Sequence, residues 1–178
     1  ELNRSLVRNH HPRKPLYAQE TLWPGNTFGH PEYSHADIRK NAWAMLMAGA
    51  VINFGDMDGS SSSGFSGEID PALRVQARHD LIHDVWDRFE QLPWSECVPR
   101  NDLADRGSCL AAEGRHWIVY LDDGGPVRVA ASGDGLRVRV LDPRRGWGEW
   151  SDFSSPVETP PGDDWIVVVT REPDAYPR

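Results

Sequence analysis

Glu20 closes a short extended run, Pro15 to Gln19 (PLYAQ), and is followed closely by Trp23, His30 and Tyr33. In parallel barrels the active site lies at the carboxyl ends of the strands, so a carboxylate there is a candidate catalytic group. Aromatic rings beside it suit the C–H faces of a sugar ring. The chemistry such a cluster could perform is attack or proton transfer at a glycosidic bond, with Trp23, His30 and Tyr33 shaping the substrate. The plainer alternative is that Glu20 caps a loop or pairs with a nearby arginine. Asp56 and Asp58 follow a second extended run, Val51 to Phe54, that closes at Gly55. Glycosidases typically use two carboxyl groups, one to protonate the leaving oxygen and one as nucleophile or base. Asp56 and Asp58 either supply a second carboxylate or substrate contacts, or are turn residues ahead of a flexible loop.

Other constellations lead less far. The Asp-Met-Asp-Gly run at 56–59 does not make a calcium loop. Ser61 stands where the sharp-turn glycine is needed and Gly67 where the bidentate glutamate is needed. His79 and His83 have the i, i+4 spacing of a zinc pair, with Asp80 and Asp84 alongside. No glutamate follows His79 to complete the metalloprotease motif, and no third ligand is evident, so they read as a solvated face. His10, His11 and His35 are scattered in polar segments. Nucleophile elbow, phosphate loop and Cys-x-x-Cys are all missing from the sequence, which leaves serine-hydrolase, nucleotide and thiol-redox readings without support. No cofactor and no metal are expected.

The net charge of −8, from 19 basic and 27 acidic residues, disfavours a nucleic-acid partner. Arg137, Arg139, Arg144 and Arg145 alternate with apolar residues and read as the solvated face of a strand and turn. Cys97 and Cys109 are too few for a disulfide scaffold. They either pair across the short loop between them or stay as buried thiols, and the redox compartment stays open. No run approaches the ~18 apolar residues of a membrane span. Residues 1–13 are charged and polar, without the apolar stretch of a signal peptide. A soluble chain of unassigned compartment is the expectation.

These residues need elements to hold them. Ser34 with Asp37 three residues on has the form of a capping box. Ile38, Ala42, Met45, Leu46 and Gly49 then share one helical face. Asp70-Pro71 starts a second helix whose stripe is Leu81, Val85, Phe89 and Leu92, joined by Ile82 and Trp86, ending before Pro93. Strand, helix, strand, helix is the alternation of a parallel sheet with covering helices. Two strands are too few to stand alone. From Cys97 onward the period changes. Trp117 to Leu121, Val127 to Ala130, Leu136 to Val140 and Trp165 to Val169 are short alternating runs divided by Gly- and Asp-rich turns. That pattern predicts an antiparallel sandwich or barrel. The predicted division is residues 1–95, α/β, and 96–178, all-β.

The ordered set RKPLYAQE, IRKNAWAMLMAGAVINFG, LPWSECVPRNDL, CLAAEGRHWIVYLDDGGPVRV, LDPRRGWGEW and PPGDDWIVVV resembles the C-terminal part of apiosidase-like glycoside hydrolases. In that family a (β/α)8 barrel ends in a Pro-x4-Glu strand, an Arg/Trp-bearing helix and a Gly-containing last strand. A β-sandwich named after a putative collagen-binding domain follows. Its hallmarks match Cys109-Leu110, Trp117 to Gly125, Asp142 to Gly146 and Asp164 to Val168. The resemblance covers nearly all of residues 13–170. It implies a TIM-type barrel portion followed by a β-sandwich, and retaining hydrolysis of plant or bacterial polysaccharide glycosides. Glu20 would be the nucleophile at the end of strand seven, with Trp23 and His30 in the subsite and Asp56 after strand eight. The first six strands, and with them the general acid, are not among these residues. A second chain or segment supplying the rest of the barrel is therefore the expected partner, with a carbohydrate as substrate. The alternative is a non-catalytic carbohydrate- or protein-binding module or structural subunit.

Overall fold

The computed structural model describes residues 1–11, 14, 16–21, 34–54 and 76–176. Its first half follows the expected alternation. Strands β1 (Leu16–Thr21) and β2 (Ala50–Phe54) pair in parallel, Leu16 opposite Ala50 and Ala18 opposite Ile52. Helix α2 (His35–Leu46) connects them, and α3 (Gln76–Glu90) follows. The predicted helix start at Asp70-Pro71 lies outside the described residues.

Local chemistry sets the ends of α2. The Asp37 backbone N–H donates to Ser34 Oγ at 3.2 Å, and the Ser34 N–H donates back to Asp37 Oδ2 at 3.0 Å. At the other end Gly49 takes a φ of +71°, a conformation that costs a glycine nothing, so the chain turns from helix into β2. A side chain there would also press on the His10 ring.

One helix was not foreseen. Residues 2–8, read as a polar lead-in, form α1 (Leu2–Arg8). Its buried residue is a polar one, Asn3. The Asn3 amide donates to the Ala44 carbonyl of α2 at 2.9 Å and accepts from Asn101 Nδ2 at 2.9 Å. Asn101 Oδ1 in turn accepts the Cys109 N–H at 2.8 Å. A chain of amides thus does what an apolar stripe would ordinarily do.

The second half is built on one large antiparallel sheet. Its strands are β3 (Val98–Pro99), β4 (Ser108–Ala112), β5 (His116–Leu121), β6 (Arg137–Asp142), β7 (Gly146–Trp147), β8 (Ser151–Asp152) and β9 (Trp165–Thr170). The order is β3-β4-β5-β9-β6-β7, with β8 also on β6. The last strand therefore enters the middle. Alternation along β5 serves two cores. Ile118 and Tyr120 face α2 and α3 and join Ala42, Trp43, Val85, Phe89, Ile166 and Val168. Trp117, Val119 and Leu121 face the other way, toward Cys109, Val127, Val157, Val167 and Val169.

What covers that other face differs from the expected sheet. Val127 and Val157 exchange two backbone hydrogen bonds of 2.9 Å, and Ala104 bridges Val129. Each is an isolated bridge. Further backbone bonds tie the same segments, Gly125 N–H to the Thr159 carbonyl at 3.1 Å and Ala130 N–H to the Leu103 carbonyl at 2.8 Å, so the run 127–130 covers this face as a bridged segment.

The two halves share their main apolar cluster. Trp43 of α2 stacks on Tyr120 of β5 at a centroid distance of 5.8 Å and meets Phe89 of α3 edge-on at 6.0 Å. A smaller cluster, Ile38, Met45 and Ala50 with Leu16 and Ile52, joins α2 to the parallel pair. The opposite face of that pair carries Tyr17, 57% exposed, and Val51, 51% exposed. Among the described residues no helix is long and apolar enough to cross a membrane.

Candidate functional site

Because β1 and β2 run parallel, their carboxyl ends lie at one edge of the pair. Glu20 is the last residue but one of β1, and the stretch bearing Asp56 and Asp58 leaves β2 from the same edge. The ladder is irregular there. Ala18 pairs with Ile52 but Thr21 pairs with Phe54, so β1 spends one more residue than β2 over the same length. Glu20 falls within that bulge. Bulges are common beside active sites, where they reassign the faces of the residues beyond them. The Glu20 side chain lies outside what the structure describes. Trp23, His30, Tyr33, Asp56 and Asp58 are also outside the described residues.

The described residues do define what holds this edge. The capping box of Ser34 and Asp37 fixes the point where the chain from Trp23 to Tyr33 enters α2. The hydrogen bonds from Ser34 hold the Asp37 carboxyl below its ordinary range. One turn into α2, Arg39 reaches across to the antiparallel sheet. Its guanidinium donates to Asp164 through Nε at 2.9 Å and Nη2 at 2.7 Å. Asp164, just before β9, is completely buried, and the Tyr120 hydroxyl lies 3.4 Å from its Oδ2. The hydrogen bonds to Asp164 raise Arg39 above its ordinary value, against the opposing effect of burial. Burial pushes the Tyr120 phenol far up as well, so it stays protonated. Nothing in the spacing of Arg39 and Asp164, 125 residues apart, announces this pair.

The remaining candidates resolve as structural features. His83 Nδ1 is 3.1 Å from Asp87 Oδ2, an exposed i, i+4 pair on α3. The side chain of His79 lies outside the described residues. Among the described residues no group of three His, Cys, Asp or Glu side chains could hold a metal ion. The two cysteines are free thiols. Cys97 packs on the helix-facing core and Cys109 within the core on the opposite face of the sheet, so the sheet separates them. Burial pushes Cys97 up to about 11 and Cys109 up to about 12, which leaves little thiolate for chemistry.

The arginine series 137, 139, 144 and 145 needs correction. Of the four, Arg145 is the most solvated, 88% exposed with its Nε 3.9 Å from Asp142 Oδ2. Arg139 is buried, its guanidinium 4.9 Å from the Trp147 ring centre and 5.5 Å from that of Trp150. Arg144 bonds Asp142 at 2.7 Å, pairs with Asp163 and lies over Trp165. Arg137 donates to the Ser151 carbonyl at 3.1 Å. Cation–π contact with tryptophans thus helps to hold Arg139 and Arg144 against the fold.

No protein-family model matches the chain, and no curated protein matches it. Solved structures do. The chain is similar to a protein described as a glycoside hydrolase, with a TM-score of 0.63 and 18% identity, over 94% of this chain and 45% of that one. It is also similar to a family 5 glycoside hydrolase from Bacteroides vulgatus ATCC 8482, with a TM-score of 0.58 and 16% identity, over 91% of this chain and 42% of that one. The chain spans less than half the length of either. At these identities the likeness establishes the fold, and that fold is glycoside-hydrolase-like.

Proposed function

We propose that this chain is the C-terminal portion of a retaining glycoside hydrolase of apiosidase-like type. Residues 1–95 contribute the last strands and helices of a (β/α)8 barrel, and 96–178 form the sandwich-like unit that braces it. The observation that carries the reading is that nearly the whole chain follows less than half of a glycoside hydrolase. The parallel pair, covered by α2 on one face and exposing Tyr17 and Val51 on the other, supports it. All-parallel sheets are normally covered on both faces.

Glu20 acts as nucleophile. Its carboxylate forms a bond to the anomeric carbon as the glycosidic C–O bond breaks, and a carboxylic acid from the completing segment protonates the leaving oxygen. Water then cleaves the glycosyl ester, with that second residue acting as base. Trp23, His30 and Tyr33 shape the subsite, and Asp56 and Asp58 bind substrate hydroxyls. The partner is a second chain or a further segment carrying the rest of the barrel, and the substrate is a glycoside or polysaccharide.

The test is Glu20→Gln in the assembled enzyme. Turnover should fall by several orders of magnitude with the fold unchanged by circular dichroism. Normal turnover would remove Glu20 from the mechanism. One observation favours a second reading, a non-catalytic binding module: the core shared by the helices and the antiparallel sheet is already extensive in this chain. Sugar binding by this chain alone, unaffected by Glu20→Gln, would select that reading.

A further inference from the structure

A groove of about 260 Å³ opens where the amino end of β2, α3 and the edge of the antiparallel sheet meet. Val51, Trp86, Phe89, Trp94, Cys97 and Leu110 form most of its walls. The Trp94 ring stacks on Phe89 at 5.7 Å and stands 6.3 Å from Trp86. Trp86 and Trp94 are each 39% exposed, although α3 was expected to bury Trp86 with its stripe. Large aromatic groups left half in water beside an exposed valine are an unfinished surface.

We infer that this groove seats an apolar stretch of the segment that pairs along the edge of β2 away from β1. The inference rests on the reading that the chain completes a larger barrel. Three observations select that occupant. Val51 belongs both to the groove and to the exposed face of the parallel pair, so one segment could cover both. Among the described residues β2 pairs only with β1, on one of its two edges. The matched glycoside hydrolases have more than half their length outside the matched region. A sugar fits less well, although aromatic walls could receive one. Among the described residues its lining carries no charged carboxylate, amide or guanidinium group, and His10, Ser95 and the two indole N–H groups are few to pair the hydroxyls of a buried ring. The groove also lies at the amino end of β2, away from the Glu20 edge, and that end of a parallel barrel serves stability.

Residue-resolved hydroxyl-radical footprinting tests this on two samples: the 178-residue chain alone and the intact particle isolated from its natural source. In the particle, Trp86 and Trp94 should oxidise several-fold more slowly than in the chain alone, together with Tyr17. Protection of Tyr17 with Trp86 and Trp94 unchanged would overturn the inference and leave the barrel reading standing. Tyr17 unprotected would overturn both. A Trp86→Lys variant adds a second readout. It should weaken retention of the completing segment in pull-down at unchanged thermal stability of the chain alone, and equal retention would count against the groove.

Discussion

Removing the Arg39 guanidinium would leave the fully buried Asp164 with only the Tyr120 hydroxyl at 3.4 Å and the Arg144 guanidinium at 4.0 Å. Breaking a buried ion pair from one side costs about 3–5 kcal/mol, because the remaining charge loses its closest compensation. Arg39→Met should therefore lower unfolding free energy by that order in urea titration. The double variant Arg39→Met/Asp164→Leu should recover much of the loss. If the double variant is as unstable as the single, the pair does more than neutralise charge. A second residue-level effect depends on pH. His116 is 1% exposed, with Nδ1 2.9 Å from Thr170 Oγ1 and 3.2 Å from the Tyr176 hydroxyl, and Nε2 3.6 Å from Glu172. Burial pulls its folded pKa below the ordinary value, with Glu172 opposing and Arg115 assisting. The unfolded chain then binds a proton that the folded one refuses. Stability is unaffected above about pH 6.5 and falls as pH drops below it, by at most about 1.4 kcal/mol per unit, until the folded pKa is reached. His116→Gln should flatten that part of the curve relative to the parent chain. Parallel curves between pH 6.5 and 5 would refute the assignment.

At the scale of elements, α2 is the hinge between the parallel pair and the antiparallel sheet, and its start depends on Ser34. Ser34→Ala removes the acceptor for the Asp37 N–H and should cost about 1 kcal/mol, read as a shift in the urea midpoint at unchanged slope. No shift would mean that tertiary contacts alone set the helix start. This cap was legible in the sequence, because Ser and Asp three apart ahead of an apolar periodicity signal it directly. So was the two-sided burial of β5, since its alternating residues are apolar on both faces. Helix α1 was not legible, because it is fastened by the Asn3 amide and not by a periodic stripe. Nor was the covering of the sheet by bridged segments, since Val127 and its partner Val157 lie far apart along the chain. Of the candidate site, the position of Glu20 at the end of a parallel strand was readable from the residues that precede it. The bulge around it was not, since register belongs to the pair of strands and not to either sequence.

The whole molecule should unfold as one unit. The proposed division near residue 95 passes through a cluster in which Trp43 and Phe89 pack with Tyr120, Ile118 and Val168. Separating the halves would expose both sides of that cluster. Differential scanning calorimetry of the chain should thus give a single transition whose calorimetric and van't Hoff enthalpies agree. Two resolved transitions would mean that the halves are thermodynamically independent despite the shared cluster.

The two thiols on opposite faces of the antiparallel sheet turn that sheet into a pair of clocks. Under native conditions a thiol-specific alkylating reagent reaches a buried cysteine only when its own layer opens. Cys109, fully buried, times the lifting of the segments around Val127 and Val157, and the half-buried Cys97 times reagent access to the groove that it lines. Their relative labelling rates, followed by mass spectrometry without any mutation, would separate the opening of that layer from access to the groove.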